Sequence, residues 1–174
     1  KMRERCRAAG LPGLYLIACA GSDRGSLERL KAEGYDAVSG YNYPSLGSNG
    51  RRWFPYADNI AGYKTLWNAA ADLHLLKEIP ALSGGWDSRP WHGQGALVVA
   101  NRTPDHFERH CRDAKEFLDK RDGEAGPPLK MCLVEAWNEW GEGSYIGPHR
   151  EFGFGYLEVI RRVFAPDSPR PLEI

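Results

Sequence analysis

A chain of 174 residues, 42% hydrophobic and 26% charged, is long enough for one soluble domain with a real core. Its 23 Lys plus Arg balance 23 Asp plus Glu, which leaves no electrostatic hold on nucleic acid or on an anionic membrane surface. No apolar run approaches the roughly 20 residues that span a bilayer, and the basic opening Lys1–Arg7 lacks the apolar stretch of a signal peptide.

The first segment, Met2–Ala9, has helical composition and stops at Gly10, which suits a helix C-cap before Pro12. Leu14–Cys19 is a short apolar run bounded by glycines, as expected of a strand buried on both faces. Ser26–Ala32 reads as a short amphipathic helix with Gly34 as its stop, feeding a second strand, Tyr35–Ser39. Tyr41-Asn42-Tyr43-Pro44 leaves that strand as a loop. The Gly-, Ser- and Arg-rich stretch Leu46–Tyr56 reads as irregular, and Asn59–Lys77 as a helix with Leu66, Ala70, Leu73 and Lys77 at helical spacing.

Ile79–Ser83 is a third strand, and Gly84–His92 a long loop whose glycines permit positive φ. Thr103 looks like an N-cap with Pro104 at the first helical position, opening a helix to about Lys120 with Phe107, Cys111, Ala114 and Leu118 on one face. The loop Gly123–Pro128 ends it. Leu129–Trp137 is the fourth strand, Tyr156–Phe164 an amphipathic helix, and the tail from Ala165 is proline-rich and exposed.

The pattern is four successive strand-then-helix units of about 40 residues, which implies an α/β fold with parallel strands and right-handed crossovers. Four units are half of a (β/α)8 TIM-type barrel. A lone half would expose two strand edges, so residues 1–174 read as one partial barrel domain, its carboxyl-terminal half, with the amino-terminal half belonging to a longer parent chain. A small open α/β sheet is the alternative. No GxGxxG or GxxxxGK[ST] follows a strand, so nucleotide binding lacks its usual signature.

Cys6, Cys19, Cys111 and Cys132 form no CxxC pair and have no His at ligand spacing, so no metal and no cofactor is expected. Cys19 and Cys132 lie in apolar runs and read as small buried hydrophobes. This usage points to a reduced, cytoplasmic compartment, with a secreted or periplasmic one still open.

In a β/α barrel the active site lies at the carboxyl ends of the strands, here Ala20-Gly21, Tyr41-Asn42-Tyr43, Trp86-Asp87 and Asn138-Glu139. Glu139 and Glu142 flank Trp140, and Gly141 and Gly143 loosen the backbone around them. Two carboxyl groups in unlike environments are what glycosidic bond cleavage needs: one donates a proton to the leaving oxygen, the other bears negative charge near the anomeric carbon. The plainer reading is an acidic pair at a helix start, against which Gly141, Gly143 and Pro148 argue as poor helix material. Trp137, inside the strand, reads as a core aromatic; Trp140 stands between core and sugar platform. Asp87 and Arg89, with His92, form a second cluster that would bind sugar hydroxyls or close a local Asp–Arg clamp. Tyr41, Asn42 and Tyr43 offer a stacking face or an ordinary turn, and His149 and Arg150 are rim residues.

Trp137-Asn138-Glu139-Trp140-Gly141-Glu142-Gly143-Ser144-Tyr145-Ile146, followed by Gly155-Tyr156-Leu157-Glu158, resembles the glycoside hydrolase family 99-like group. That group includes endo-α-mannosidases and the WbsX-type proteins of bacterial polysaccharide biosynthesis. Gly85-Trp86-Asp87-Ser88-Arg89-Pro90 is similar to a second WbsX-type block. The resemblance implies a TIM barrel, an oligosaccharide or polysaccharide substrate, and retention through a 1,2-anhydro sugar. Carried over by position, Glu139 deprotonates the 2-hydroxyl and Glu142 is the acid/base at the leaving oxygen. Tyr41, Asn42, Trp86, Asp87, Arg89, Asn138, Trp140 and Tyr145 are then the substrate-binding candidates. Gly141 stands where the endo-mannosidases commonly have His, which moves the chain toward the WbsX-type branch, and Gly147 stands where many relatives have Glu.

The expected activity is a retaining glycoside hydrolase acting on an α-linked, mannose-like glycan. The competing readings are a glycosyltransferase-associated protein of lipopolysaccharide or O-antigen biosynthesis, and a non-catalytic glycan-binding module.

Overall fold

The computed structural model describes residues 1–121 and 130–168. Helix α1 (Met2–Ala8) docks through Arg3, which donates to the Gly34 carbonyl at 2.7 Å and to Asp36 at 2.5 Å. Asp36 in turn accepts from the Leu16 N–H at 2.7 Å and so fixes the entry to β1 (Ile17–Cys19). Helix α2 (Arg24–Glu33) starts at Asp23, whose side chain accepts from the Ser26 N–H. It stops at Gly34, where φ of 89° favours glycine. Strand β2 (Ala37–Ser39) then lies parallel to β1.

The irregular stretch expected at Leu46–Tyr56 is corrected at its end. Trp53–Pro55 is a strand, β3, and helix α3 (Tyr56–Ala71) starts immediately after it, earlier than expected, with Pro55 in extended conformation as its N-cap. That helix also ends well before Lys77, because Lys77–Glu78 is strand β4, parallel to β2.

The third barrel strand is split. The Ile79 N–H donates to Val38 at 2.9 Å, but Pro80 has no N–H to continue that ladder; its carbonyl instead accepts from the Leu133 N–H at 2.9 Å. Strand β5 (Ala81–Ser83) follows and pairs with β8 (Leu133–Glu135), again parallel. Four parallel barrel strands thus run in chain order, β1, β2, β4 with β5, and β8, and among the described residues β1 and β8 each have a neighbour on one side only.

Gly84–His92, expected to be a loop, contains strand β6 (Trp86–Asp87) and the single-turn helix α4 (Arg89–His92). Strand β7 (Val98–Ala100) pairs parallel with β3 and antiparallel with β6, making a small sheet inserted between the barrel strands and their helices. Helix α5 (Pro104–Lys120) is capped by Thr103, whose hydroxyl accepts from the His106 N–H at 3.2 Å. Removing that acceptor orphans a first-turn donor, so Thr103→Ala is expected to cost about 1 kcal/mol, read as a lower urea midpoint of the full-length protein. An unchanged midpoint would mean that the cap is idle.

The expected loop Gly123–Pro128 lies outside the described residues, as does the first residue of the expected strand at Leu129. The described part of that strand is shorter than expected, and Trp137 falls beyond its end. Strands β9 (Asn138–Glu139) and β10 (Ser144–Tyr145) form a hairpin, and helix α6 (Gly155–Phe164) closes the fold. Residues 165–168 are exposed, and the tail beyond them lies outside the described residues.

Two apolar clusters hold these elements. The larger gathers Tyr56, Ile60, Tyr63 and Trp67 of α3 with Phe107, Cys111 and Phe117 of α5 and Val159 of α6, at helical spacings that put each set on one face. His110, fully buried, stacks on Trp67 at 5.2 Å, and burial pushes its imidazole down to about 3, which keeps it neutral. The smaller cluster packs Ala18 and Val38 under Leu27, Leu30 and Ala70. Cys19 is exposed and Cys132 half-buried, which corrects the expectation that both are buried: Cys19 alternates with Ala18 and points away from the helical layer. No described helix is long and apolar enough to cross a membrane.

Candidate active site

Strand β8 delivers Glu135 to the barrel mouth, where it is 6% exposed. One carboxylate oxygen accepts from Asn42 Nδ2 at 2.6 Å and from Ser144 Oγ at 2.8 Å; the other is buried with no hydrogen-bond partner among the described residues. Burial, together with the charges of Glu142 and Glu139, pushes this carboxyl up to about 7 against the opposing hydrogen bonds from Ser144 and Asn42. Asn42 is held from its other end by Tyr63, whose hydroxyl donates to Oδ1 at 2.8 Å. The Tyr43 hydroxyl donates to the Ala20 carbonyl at 3.0 Å and ties the loop after β2 to the end of β1. Tyr41 is exposed, and partial burial followed by Glu135, Glu142 and Glu139 raises its hydroxyl.

The β9–β10 hairpin carries two of them. Glu139 faces Ser144 across the pair, and the connection Trp140–Glu142 is a single 3-10 turn closed by Gly143 at φ 61°. Packing and its positive φ require Gly143, while Gly141 rests against an aromatic ring. A Cβ on Gly141 would lie 2.9 Å from the Trp91 ring, and one on Gly143 would lie 2.6 Å from the Asp87 Cβ. Glu139 is exposed, whereas Glu142 is half-buried with one carboxylate oxygen lacking a hydrogen-bond partner among the described residues.

The other face of the turn borders a cleft of about 820 Å³ lined by Trp53, Asp87, Arg89, Arg102, Trp140 and Tyr145, with Glu151 at its edge. Glu139 and Glu142 are not among its lining residues. Arg102 donates to the carbonyls of Gly84 (3.3 Å) and Gly143, and its guanidinium lies 4.0 Å over the Tyr145 ring, which itself rests 4.2 Å from Trp140. Arg89 Nε donates to both Asp87 oxygens at 2.9 and 3.0 Å, so this pair is the local clamp, and Arg89 holds the Asp87 carboxyl below its usual range.

The sequence-derived candidates therefore fall into two groups. Tyr41, Asn42, Glu139 and Glu142 meet at the mouth, while Asp87, Arg89, Trp140 and Tyr145 meet in the cleft; Asn138 is exposed on β9 opposite Tyr145. Trp86 packs against the larger core cluster and not into the cleft. Trp137 is 55% exposed, which overturns its reading as a core aromatic. Glu135, Ser144, Trp53 and Arg102 were not anticipated. For Glu135 a signal existed, an acid inside the apolar run Met131–Trp137, since a carboxylate is seldom buried without a reason. Among the described residues no cluster of three or more His, Cys, Asp or Glu is arranged to hold a metal ion.

Comparison with known proteins gives the fold and the family. Two uncharacterized WxcX proteins, from two strains of Xanthomonas campestris pv. campestris, are each 29% identical over 181 residues, covering 96% of this chain and 25% of their own. The chain thus spans a quarter of the length of these curated relatives. A solved structure described as a glycoside hydrolase-like protein matches with a TM-score of 0.65 at 21% identity, over 94% of this chain and 48% of that one. The GH99 endo-α-mannosidase from Bacteroides thetaiotaomicron, solved with BIS-TRIS-propane, matches with a TM-score of 0.50 at 18% identity, over 89% of this chain and 46% of that one. The fold is therefore glycoside hydrolase-like, a partial (β/α) barrel corresponding to about half of each of these structures. A family model described as glycosyltransferase WbsX matches residues 1–160, and on that match the chain belongs to the WbsX glycosyltransferase family.

Proposed function

We propose that this chain is the carboxylate-bearing half of a barrel enzyme that hydrolyses an α-linked, mannose-like glycan with retention of configuration. The observation that carries the reading is the placement of Glu135 and Glu139 on either side of Ser144, which pairs with Glu139 across the hairpin and donates to the Glu135 carboxylate at 2.8 Å, with Glu142 closing the same turn. The one-sided edges of β1 and β8 support a parent chain that completes the barrel with further strand–helix units.

In this reading Glu139 takes the proton of the sugar 2-hydroxyl as O2 attacks C1. The glycosidic C1–O bond breaks and the leaving oxygen takes its proton from Glu142. Water then opens the 1,2-anhydro ring at C1, giving one proton to Glu142, while O2 regains its proton from Glu139. Two inversions leave the anomeric configuration unchanged and consume one water. Below about pH 7 Glu135 is protonated, which withdraws one negative charge from beside the working pair.

The family description favours a second reading, glycosyl transfer in bacterial polysaccharide assembly, in which a sugar hydroxyl takes the place of water. Proton NMR of the full-length protein acting on α-linked glycans separates these. Retaining hydrolysis predicts that the α-anomer of a free reducing sugar appears first. Chain lengthening would establish transfer, first appearance of the β-anomer would reject retention, and binding without product would leave a glycan-binding module.

A further inference from the structure

The cleft beside the carboxylate turn has contents that the bond-breaking chemistry does not use. Trp53 is 59% exposed on β3, a three-residue strand whose neighbour Phe54 is buried, so pairing with β7 fixes the indole outward. One face of its ring lies under the Arg89 guanidinium at 5.2 Å, and Arg89 is itself immobilised by Asp87. Trp140, 51% exposed, lines the cleft together with Gly143 and Tyr145, so the cleft lies against the same hairpin that carries Glu139 and Glu142. Large aromatic rings held rigid and left in solvent mark a binding surface rather than a core.

The polar lining suits one class of ligand. Two acids, Asp87 and Glu151, and two guanidinium groups, Arg89 paired with Asp87 and Arg102 bound to the Gly84 and Gly143 carbonyls, line the same cleft, which leaves it neutral. A balanced set of planar donors and acceptors matches the paired hydroxyls of a neutral sugar better than a carboxylate or phosphate, which would need an uncompensated cation. The apolar C–H face of a pyranose ring complements the negative face of an indole. A volume of about 820 Å³ falls within the range of small-molecule sites.

We propose that this cleft is a second sugar subsite, which holds a neutral pyranose residue of the same glycan chain, remote from the bond presented to Glu139 and Glu142, with Trp53 as its platform. The proposal rests on the glycan reading of the mouth and adds that the substrate is a chain extending across the β9–β10 hairpin. Trp53 is a binding residue here, with no part in proton transfer.

The test uses the full-length protein carrying Glu142→Gln, on an array of α-linked oligosaccharides of mannose, glucose, galactose and rhamnose from disaccharide to hexasaccharide. Affinity should rise by about tenfold or more as the chain lengthens. Adding Trp53→Ala should remove that gain, and Trp53→Phe should restore most of it. An equal gain in Trp53→Ala overturns the proposal, as does affinity that fails to rise with length, the absence of binding included. Product release by the protein with Glu142 intact is scored on the same sugars. Product without a length gain rejects the subsite and leaves the hydrolytic reading standing; a length gain without product does the reverse.

Discussion

Glu142→Gln in the full-length protein is expected to lower kcat/KM on a glycan with a sugar leaving group by about 10²–10⁴-fold, the range typical of losing a positioned acid. The amide keeps the shape of the side chain but cannot give a proton to the departing oxygen. An aryl leaving group needs no such proton, so the first step on an aryl α-glycoside should recover most of its rate. Glu139→Gln should be equally damaging on both substrates, because activation of the 2-hydroxyl is required whatever leaves. Glu142 is half-buried and Glu139 exposed, and neither belongs to the apolar clusters, so circular dichroism and the thermal midpoint should stay close to those of the unaltered protein. Normal turnover by Glu142→Gln on its natural glycan would end the acid/base assignment.

The second large effect concerns stability. Glu78 on β4 is 3% exposed; one oxygen accepts from Ser22 Oγ at 2.9 Å and the other has no hydrogen-bond partner among the described residues. Burial, opposed by the Ser22 hydrogen bond, pushes its carboxyl up to about 8. Because the folded value lies above the unfolded one of about 4.3, the folded protein binds the proton more tightly. The stabilisation is fully present below about pH 4.3 and is lost as pH rises through about 8, with a ceiling on the order of 5 kcal/mol. Glu78→Gln carries no proton to lose. Urea unfolding from pH 5 to pH 9 should therefore show the variant gaining on the parent as pH rises, with the largest advantage at the alkaline end. A difference that stays constant with pH would show that Glu78 does not hold its proton in the fold.

The four barrel strands were legible as short apolar runs and helices α2, α5 and α6 as periodic apolar faces, whereas α3 was legible in its middle but at neither end. Gly34 ends α2 and Thr103-Pro104 opens α5 where the sequence says they should. What escaped was structure made by tertiary pairing. Strands β3, β6 and β7 are two or three residues long, and β3 emerges from a Gly- and Arg-rich segment in which no period has room to show. Lys77 fits the helical spacing that precedes it, yet pairing with Ala37 takes it into β4. At the site, the motif exposed Glu139 and Glu142, but Glu135 looked like part of a strand because its role depends on Asn42, 93 positions away in the chain. The pairing of Asp87 with Arg89 was visible from their spacing; the cleft around them was not, since Trp53 reaches it from a separate segment.

The turn from Trp140 to Glu142 borders the cleft through Trp140 while Glu139 and Glu142 stay off the cleft wall, so one short connection serves two surfaces. Trp53 lies on β3, which pairs with β7 and not with the hairpin, so a substitution there leaves the register that carries Glu139 untouched. Gly143 sets the limit: with the Asp87 backbone packed where its side chain would be, the hairpin and β6 keep their spacing whatever lines the cleft.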